Sequence, residues 1–198
     1  MTEGPEGKSK FQTQLSNLRH DIRTPVGHII GYAEMIEEDL SPDLLKTFSA
    51  DLQSIQNAGQ KMLALIEVFL GATKSSLDEI NVSDAQFQFR MQLNHINGYA
   101  EMIFEEATDL GDDELISDLE RITEAGHAAL KLIDAIPQRL LKESTSKGKA
   151  KTKKSIPAAK QDSELVTSQI GQGGELLVVD DDPSNRELLT RRVKRMGY

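Results

Sequence analysis

The 198-residue sequence has no cysteine and no tryptophan, and aromatic residues make up only 5% of it. Without cysteine, the chain can form neither disulfide bonds nor thiolate metal sites. The shortage of aromatic residues favours a helical core of Leu, Ile, Ala and Met over a β-sandwich. No apolar run approaches the roughly 20 residues that span a bilayer, and the N-terminus lacks the apolar segment of a secretion signal. We therefore expect a cytoplasmic protein with no membrane partner.

Charge is distributed unevenly along the chain, whose net charge is −9. Residues 142–160 contain seven Lys and one Glu, a net charge of +6, so the remainder carries −9 − 6 = −15. An acidic folded part argues against nucleic acid as a partner. Residues 143–174 also lack periodicity and have few apolar residues, which predicts a flexible basic linker.

An internal repeat is the strongest signal in the sequence. The hexapeptide GYAEMI occupies residues 31–36 and again 98–103, an offset of 67. At this offset, 18 of the 55 residues in 20–74 are identical to those in 87–141, whereas chance would give only a few. The pattern predicts a tandem duplication, with one copy at 9–74 and the other at 76–142.

Each copy is predicted to form two amphipathic helices, because apolar residues recur at alternating spacings of three and four. The predicted stripes consist of Phe11, Leu15, Leu18, Ile22, Val26, Ile29, Ala33, Ile36 and Leu40, then Leu45, Phe48, Leu52, Ile55, Gly59, Met62, Ile66 and Phe69, and in the second copy Phe89, Leu93, Ile96, Ala100, Ile103, Leu115, Leu119, Ile122, Ala129, Ile133 and Ile136. Ser9 with Gln12 predicts a capping box at the first helix start, and Ser41-Pro42 predicts the start of the second. One hairpin cannot bury its stripe alone, so we predict an all-α, antiparallel four-helix bundle built from both.

The sequence His20-Asp21-Ile22-Arg23-Thr24-Pro25 lies within the first predicted helix. His20 is two residues from Leu18 and from Ile22 on the buried stripe, about 200° around the helix, so its side chain should face solvent. Asp21 can fix the tautomer of the imidazole and accept its proton while the other ring nitrogen attacks phosphorus. Pro25 predicts a kink just after the histidine.

This motif, followed by GYAEM, resembles the H-box of the phosphoacceptor and dimerisation domain of histidine kinases. The resemblance implies that His20 is the phosphoacceptor and Asp21 the general base, and that Thr24 helps to orient water for dephosphorylation. Cores of this family are normally homodimers of two equivalent hairpins. Here the second hairpin could replace the partner subunit, which would give a monomeric pseudo-dimer; a domain-swapped dimer is the alternative.

The second copy departs from the motif. The residues that align with His20, Asp21, Thr24 and Pro25 are, in order, Phe87, Gln88, Met91 and Gln92. Phenylalanine cannot carry phosphate, so the second copy should be chemically inert and retained for packing. His28 and His95 align with each other, which favours a structural or surface role for both, and the four histidines lack the paired spacing of a metal site.

A different pattern follows the linker. The apolar run Leu176–Val179 predicts a buried parallel strand, and Asp180, Asp181 and Asp182 then precede a helix predicted from about Pro183 to Met196. The run resembles the start of a response-regulator receiver, which implies that Asp180 and Asp181 belong to a Mg²⁺ site. One strand cannot form a sheet, so we expect 175–198 to be a truncated α/β receiver start that binds Mg²⁺ only within a complete domain.

The sequence has no P-loop pattern, and a Lys-rich linker lies where histidine kinases carry an ATP-binding domain. The chain is therefore not expected to phosphorylate itself from ATP, and an ATP-binding histidine kinase could act on it in trans. The leading hypothesis is two-component signalling, in which His20 passes phosphate to or from an aspartate of a receiver, in cis or in trans. A non-catalytic docking or signal-relay scaffold is the alternative from another class, and a phospho-aspartate phosphatase is a third.

Overall fold

A computed structural model describes residues 5–141, 176–180, 183–195 and 197–198, and the chain divides into two compact units at Glu143. In these ranges the secondary structure is helical, with no β-strand. The helices of the first unit are α1 (Pro5–Asp39), α2 (Pro42–Leu70), α3 (Val82–Leu110), α4 (Asp113–Asp134) and the short α5 (Ile136–Leu141), with a 3₁₀ turn at Leu77–Glu79 between α2 and α3. None of the described helices has the length and apolarity that crossing a membrane requires.

The four long helices pack in a ring. Helix α1 lies against α2 and α4, and α3 lies against the same two helices from the other side. Short turns join α1 to α2 and α3 to α4, so the helices within each pair are antiparallel. Helix α5 follows α4 after Ala135 and packs on α1. The prediction of an all-α bundle is confirmed.

The core of the bundle consists of the predicted apolar stripes. All of the predicted stripe residues are buried except Leu40, Leu45 and Phe69, which are half-buried near helix ends. Tyr32 and Met35 are also buried, although they lie outside the stripe of α1. A helix with two long neighbours buries a wider sector than a single seam, so the spacing pattern alone underestimates the core.

The predicted start of α2 is confirmed, because Ser41 Oγ accepts a hydrogen bond from the Leu44 amide and Pro42 is the first helical residue. The predicted start of α1 is wrong. The helix begins at Pro5, so Ser9 lies inside it, and Gln12 donates its side-chain hydrogen bond to the Lys74 carbonyl instead. Proline is well suited to a first helical position because its missing N–H needs no partner there.

Two glycines allow the helices of each hairpin to approach closely. A Cβ atom added to Gly59 of α2 would lie 2.6 Å from Cγ1 of Ile30 on α1. A Cβ atom added to Gly126 of α4 would lie 3.0 Å from Oδ1 of Asn97 on α3. Both pairs are related by the same offset of 67, and in both a side chain of the facing helix occupies the space that a Cβ atom would need.

The second unit contains one helix, α6 (Pro183–Arg195), within its described residues. This helix agrees with the prediction, and Arg186 Nη1 on its first turns donates to the Asp180 carbonyl at 2.8 Å. The predicted strand at Leu176–Val179 is not formed, and Leu177 and Val179 are largely exposed. A strand needs a backbone partner, and none lies among the described residues. The predicted linker at 143–174 lies outside the described residues.

Candidate functional site

The site predicted on α1 centres on His20, whose side chain is 82% exposed. Leu18 and Ile22, two residues away on either side, are buried in the bundle. This alternation follows from helical geometry, because residues two apart lie on nearly opposite faces. The imidazole is therefore held at the surface by a backbone that is anchored on its other side, and a partner protein can reach it.

Asp21 lies between the imidazole and a guanidinium. Its Oδ1 atom is 3.9 Å from His20 Nδ1, and its Oδ2 atom accepts a hydrogen bond from Arg139 Nη1. The separation from the imidazole is longer than a hydrogen bond but within the range of an ion pair, and such contacts often tighten only when the reacting partner binds. All three side chains remain accessible to solvent.

Arg139 was not predicted from the sequence, because it lies 118 residues from Asp21 and outside every motif. It is carried by α5, whose Ile136 and Leu140 are buried against the bundle. The repeat offers no signal for it either, since the aligned position in the first copy is Ala72.

Thr24 lies one helical turn after His20, as predicted. Its Oγ1 donates to the backbone carbonyl of His20 at 3.2 Å. This bond is local to the helix and leaves the hydroxyl oxygen near the face that carries the imidazole. A turn of the hydroxyl hydrogen about the Cβ–Oγ1 bond would be enough for Thr24 to donate to water or to a phosphoryl group instead.

Two further arginines next to the motif join α1 to the end of α2. Arg19 Nη1 donates to the Leu70 carbonyl at 3.3 Å, and Arg23 Nη2 pairs with Glu67 Oε1. With Arg139, three arginines thus lie around the motif, of which Arg23 and Arg139 are paired with carboxylates. Positive charge near a surface nucleophile favours the approach of an anionic phosphoryl group.

The second hairpin has interhelical contacts from the same three aligned positions but lacks the histidine motif. Arg90 pairs with Asp134 at 2.6 Å, and Gln86 donates to the Ile133 carbonyl at 3.1 Å. Arg90, Asp134 and Gln86 lie 67 residues after Arg23, Glu67 and Arg19. The position that corresponds to His20 holds Phe87, which is 63% exposed.

The other histidines differ in exposure, since His28 is buried whereas His95 and His127 are exposed. In the described ranges no three His, Cys, Asp or Glu side chains come together as a metal site would require. The predicted Mg²⁺ ligand Asp180 is described, but Asp181 lies outside the described residues. The described residues therefore do not supply the ligand set that the receiver resemblance implies.

Comparisons with known proteins agree with the first hairpin. Residues 12–76 match the family model of the His Kinase A (phospho-acceptor) domain. The chain is 28% identical over 87 residues to "Hybrid signal transduction histidine kinase L" of Dictyostelium discoideum, which covers 44% of this chain and 5% of that protein. It is 33% identical over 78 residues to "Non-motile and phage-resistance protein" of Caulobacter vibrioides, which covers 39% of this chain and 9% of that protein.

The chain thus spans less than a tenth of the length of either relative. No solved structure matches it. The family match, which includes His20, supports two-component signalling with a histidine phosphoacceptor. Domains of this family work with receiver and ATPase partners.

Proposed function

We propose that this chain is a phosphotransfer module in which His20 carries a phosphoryl group to or from an aspartate of a receiver domain. The observation that carries the proposal is the exposed imidazole with the Asp21 carboxylate beside Nδ1. The match of residues 12–76 to a phosphoacceptor domain supports it independently. The receiver could be a separate protein or one within the same polypeptide.

In this proposal each ring nitrogen of His20 has its own role, because the Asp21 carboxylate lies beside Nδ1 and leaves Nε2 to react. Nε2 of His20 forms the new bond to phosphorus, and the bond from phosphorus to the donor aspartate oxygen breaks, with its electron pair staying on that carboxylate. The proton on Nδ1 passes to Oδ1 of Asp21, so the imidazole does not accumulate positive charge. Transfer in the other direction reverses each step.

We further propose that the bundle is an intramolecular pseudo-dimer that arose by duplication. The repeated interhelical pairs, Arg23 with Glu67 and Arg90 with Asp134, support this interpretation, as do the two glycines at equivalent helix contacts. In this arrangement the second hairpin takes the place of a partner subunit. Only the first hairpin has a histidine at the motif position, since the second has Phe87 there.

Transfer of label from a phosphorylated receiver tests the proposal. The full chain should take up radiolabelled phosphate as an adduct that is labile in acid and stable in base, as expected for phosphohistidine. His20→Ala should abolish uptake and leave stability within about 0.5 kcal/mol, because the side chain is exposed. Equal labelling of the wild type and of His20→Ala would refute the assignment.

A non-catalytic docking role is the second candidate, and the exposed Phe87 favours it. Phe87 and Met91, one turn apart on α3, give the second hairpin an apolar outer surface where the first has His20 and Thr24. Single exposed apolar residues are common, but two on one face are a candidate contact for another protein.

Binding and transfer separate the two roles. If the module docks receivers through α3, Phe87→Ser should weaken receiver affinity in a titration while His20→Ala leaves it intact. If phosphotransfer alone is the function, Phe87→Ser should change neither affinity nor uptake. A loss of label from phospho-receiver with no phosphohistidine formed would instead indicate a phosphatase that uses Thr24.

A further inference from the structure

The contact between Arg139 and Asp21 joins the end of the second hairpin to the motif of the first. Arg139 lies on α5, and α5 packs on α1. Ile136 and Leu140 are buried on either side of it in the sequence, so the arginine is held close to α1 by apolar anchors. An ion pair between two accessible side chains contributes little to stability by itself. Its effect on the neighbouring His20 is therefore the more informative consequence.

The ion pair of Arg139 with Asp21 is not repeated at the aligned positions of the duplication. The residue 67 positions after Asp21 is Gln88, and the residue 67 positions before Arg139 is Ala72. Gln88 donates to Asp84 at 3.5 Å on its own helix. The ion pair of Arg139 with Asp21 therefore has no counterpart at the aligned positions. The interhelical ion pair of Arg23 with Glu67, by contrast, has its counterpart in Arg90 with Asp134.

We infer that Arg139 is a positioning residue, which holds the Asp21 carboxylate with Oδ2 on the guanidinium and Oδ1 toward His20 Nδ1. A carboxylate that is held by one oxygen cannot turn its other oxygen away from the imidazole without losing a charge-assisted hydrogen bond. Oδ1 then favours the tautomer with the proton on Nδ1, which leaves the lone pair of Nε2 free to attack phosphorus. The second hairpin therefore contributes to the chemistry of the first.

This inference rests on the proposed phosphotransfer, but one of its readouts does not. The tautomer of His20 can be measured by long-range ¹H–¹⁵N correlation spectroscopy on the full chain, at a pH where the imidazole is neutral. The wild type should show the proton mainly on Nδ1. Arg139→Ala should move the population toward the form protonated on Nε2, and Arg139→Lys should restore part of the wild-type population.

The second readout is the rate of phosphoryl uptake from a phosphorylated receiver. Arg139→Ala should lower this rate about 10-fold, which is part of the contribution that a positioned general base makes. In an Asp21→Asn background, Arg139→Ala should lower it no further, because the arginine acts through that carboxylate. A further loss in this background would show that Arg139 contacts the phosphoryl group directly and would overturn the positioning role.

Arg121→Ala is the matched control. Arg121 pairs with Glu124 on α4 at 3.4 Å, so the variant also removes one positive charge and disrupts an accessible ion pair. The His20 tautomer and the uptake rate of Arg121→Ala should equal those of the wild type. If the wild type takes up phosphate and Arg139→Ala behaves like Arg121→Ala in either readout, the inference is wrong. If the wild type takes up no phosphate at all, the proposed function fails, and the tautomer alone decides the role of Arg139.

Discussion

His20 and Phe87 occupy corresponding positions 67 residues apart, and both side chains project from the bundle. The helices that carry them share an interhelical ion pair at aligned positions, Arg23 with Glu67 and Arg90 with Asp134. The difference lies in the neighbouring side chains. Asp21 and Arg139 accompany the histidine, whereas the residues that align with them are Gln88 and Ala72.

Replacing Phe87 with His should therefore not create a second phosphoacceptor. In a His20→Ala background, the Phe87→His variant should take up no phosphate from a phosphorylated receiver, because Gln88 stands in place of the adjacent acid Asp21 and Met91 in place of Thr24. Phe87→His in the wild-type background serves as the control and should be labelled only at His20. Label at position 87, located by peptide mapping, would show that an exposed histidine on this scaffold is sufficient.

Gly59 determines how closely α1 and α2 can approach, at the scale of the helices. The nearest atom to an added Cβ is Cγ1 of Ile30, which is an inner atom of a β-branched side chain and cannot swing away by itself. Gly98 lies in α3 with no atom within 4 Å of an added Cβ, so it provides a matched helical position without that constraint.

Gly59→Ala should lower the free energy of unfolding by about 1 kcal/mol. Overpacking costs roughly 1–3 kcal/mol, which exceeds the gain of about 1 kcal/mol that alanine brings to a helix interior. Gly98→Ala should raise the free energy of unfolding by about 0.5–1 kcal/mol. Urea denaturation of both variants measures the difference, and stabilisation by Gly59→Ala would show that the helices separate at little cost.

The connector between the hairpins contains a carboxylate whose pKa is lowered. Glu79 accepts hydrogen bonds from the Ser75 hydroxyl and, at 3.0 Å, from the Ser75 amide, and these bonds hold the pKa of Glu79 below its ordinary value. A folded-state pKa below the unfolded value means that the stabilisation is present above the unfolded pKa. It is lost as the pH falls through the lowered pKa.

Acid titration should therefore loosen this connector at a pH below the ordinary pKa of glutamate. The Ser75 amide resonance, followed by ¹H–¹⁵N NMR, should shift with a midpoint equal to that of the Glu79 side chain. Ser75→Ala should move the midpoint of Glu79 upward, because the hydroxyl hydrogen bond is the largest cause of the lowered pKa. A midpoint that is unchanged in Ser75→Ala would contradict this assignment.

At the scale of the whole molecule, one chain buries the apolar stripes of all four long helices. The core residues of α1, α2, α3 and α4 are covered by contacts within the first unit. Because one chain buries the apolar stripes of its own helices, a second copy is not needed to complete the bundle. The segment between α2 and α3, however, is a short hinge at which two chains could exchange hairpins.

The full chain should accordingly sediment as a monomer of about 21.9 kDa at micromolar concentration. Sedimentation equilibrium measures this mass directly. An obligate dimer would contradict the intramolecular pseudo-dimer and favour exchange of hairpins. Lengthening the connector with flexible residues after Lys74 would then release the monomer, since a longer hinge lets both hairpins of one chain meet.

The sequence determined much of the bundle by itself. The spacing of apolar residues predicted four helices and nearly all of their buried positions, because helix periodicity and apolar burial depend on local residue order. The same reasoning placed His20 on the outer face. It failed at the start of α1, because the helix begins at Pro5 and not at the predicted cap Ser9. It also failed at Leu176–Val179, because the apolar run has no partner strand among the described residues.

Only the tertiary structure decided which side chains beyond the stripe are covered and which charges meet. The hexapeptide GYAEMI is helical in both copies, yet Met35 is buried in α1 and Met102 is 57% exposed in α3. Likewise, no local pattern could place Arg139 on Asp21, since the two meet only once α5 packs on α1. Periodicity is a property of neighbours in the chain, whereas these contacts depend on residues far apart in sequence that the packing of whole helices brings together.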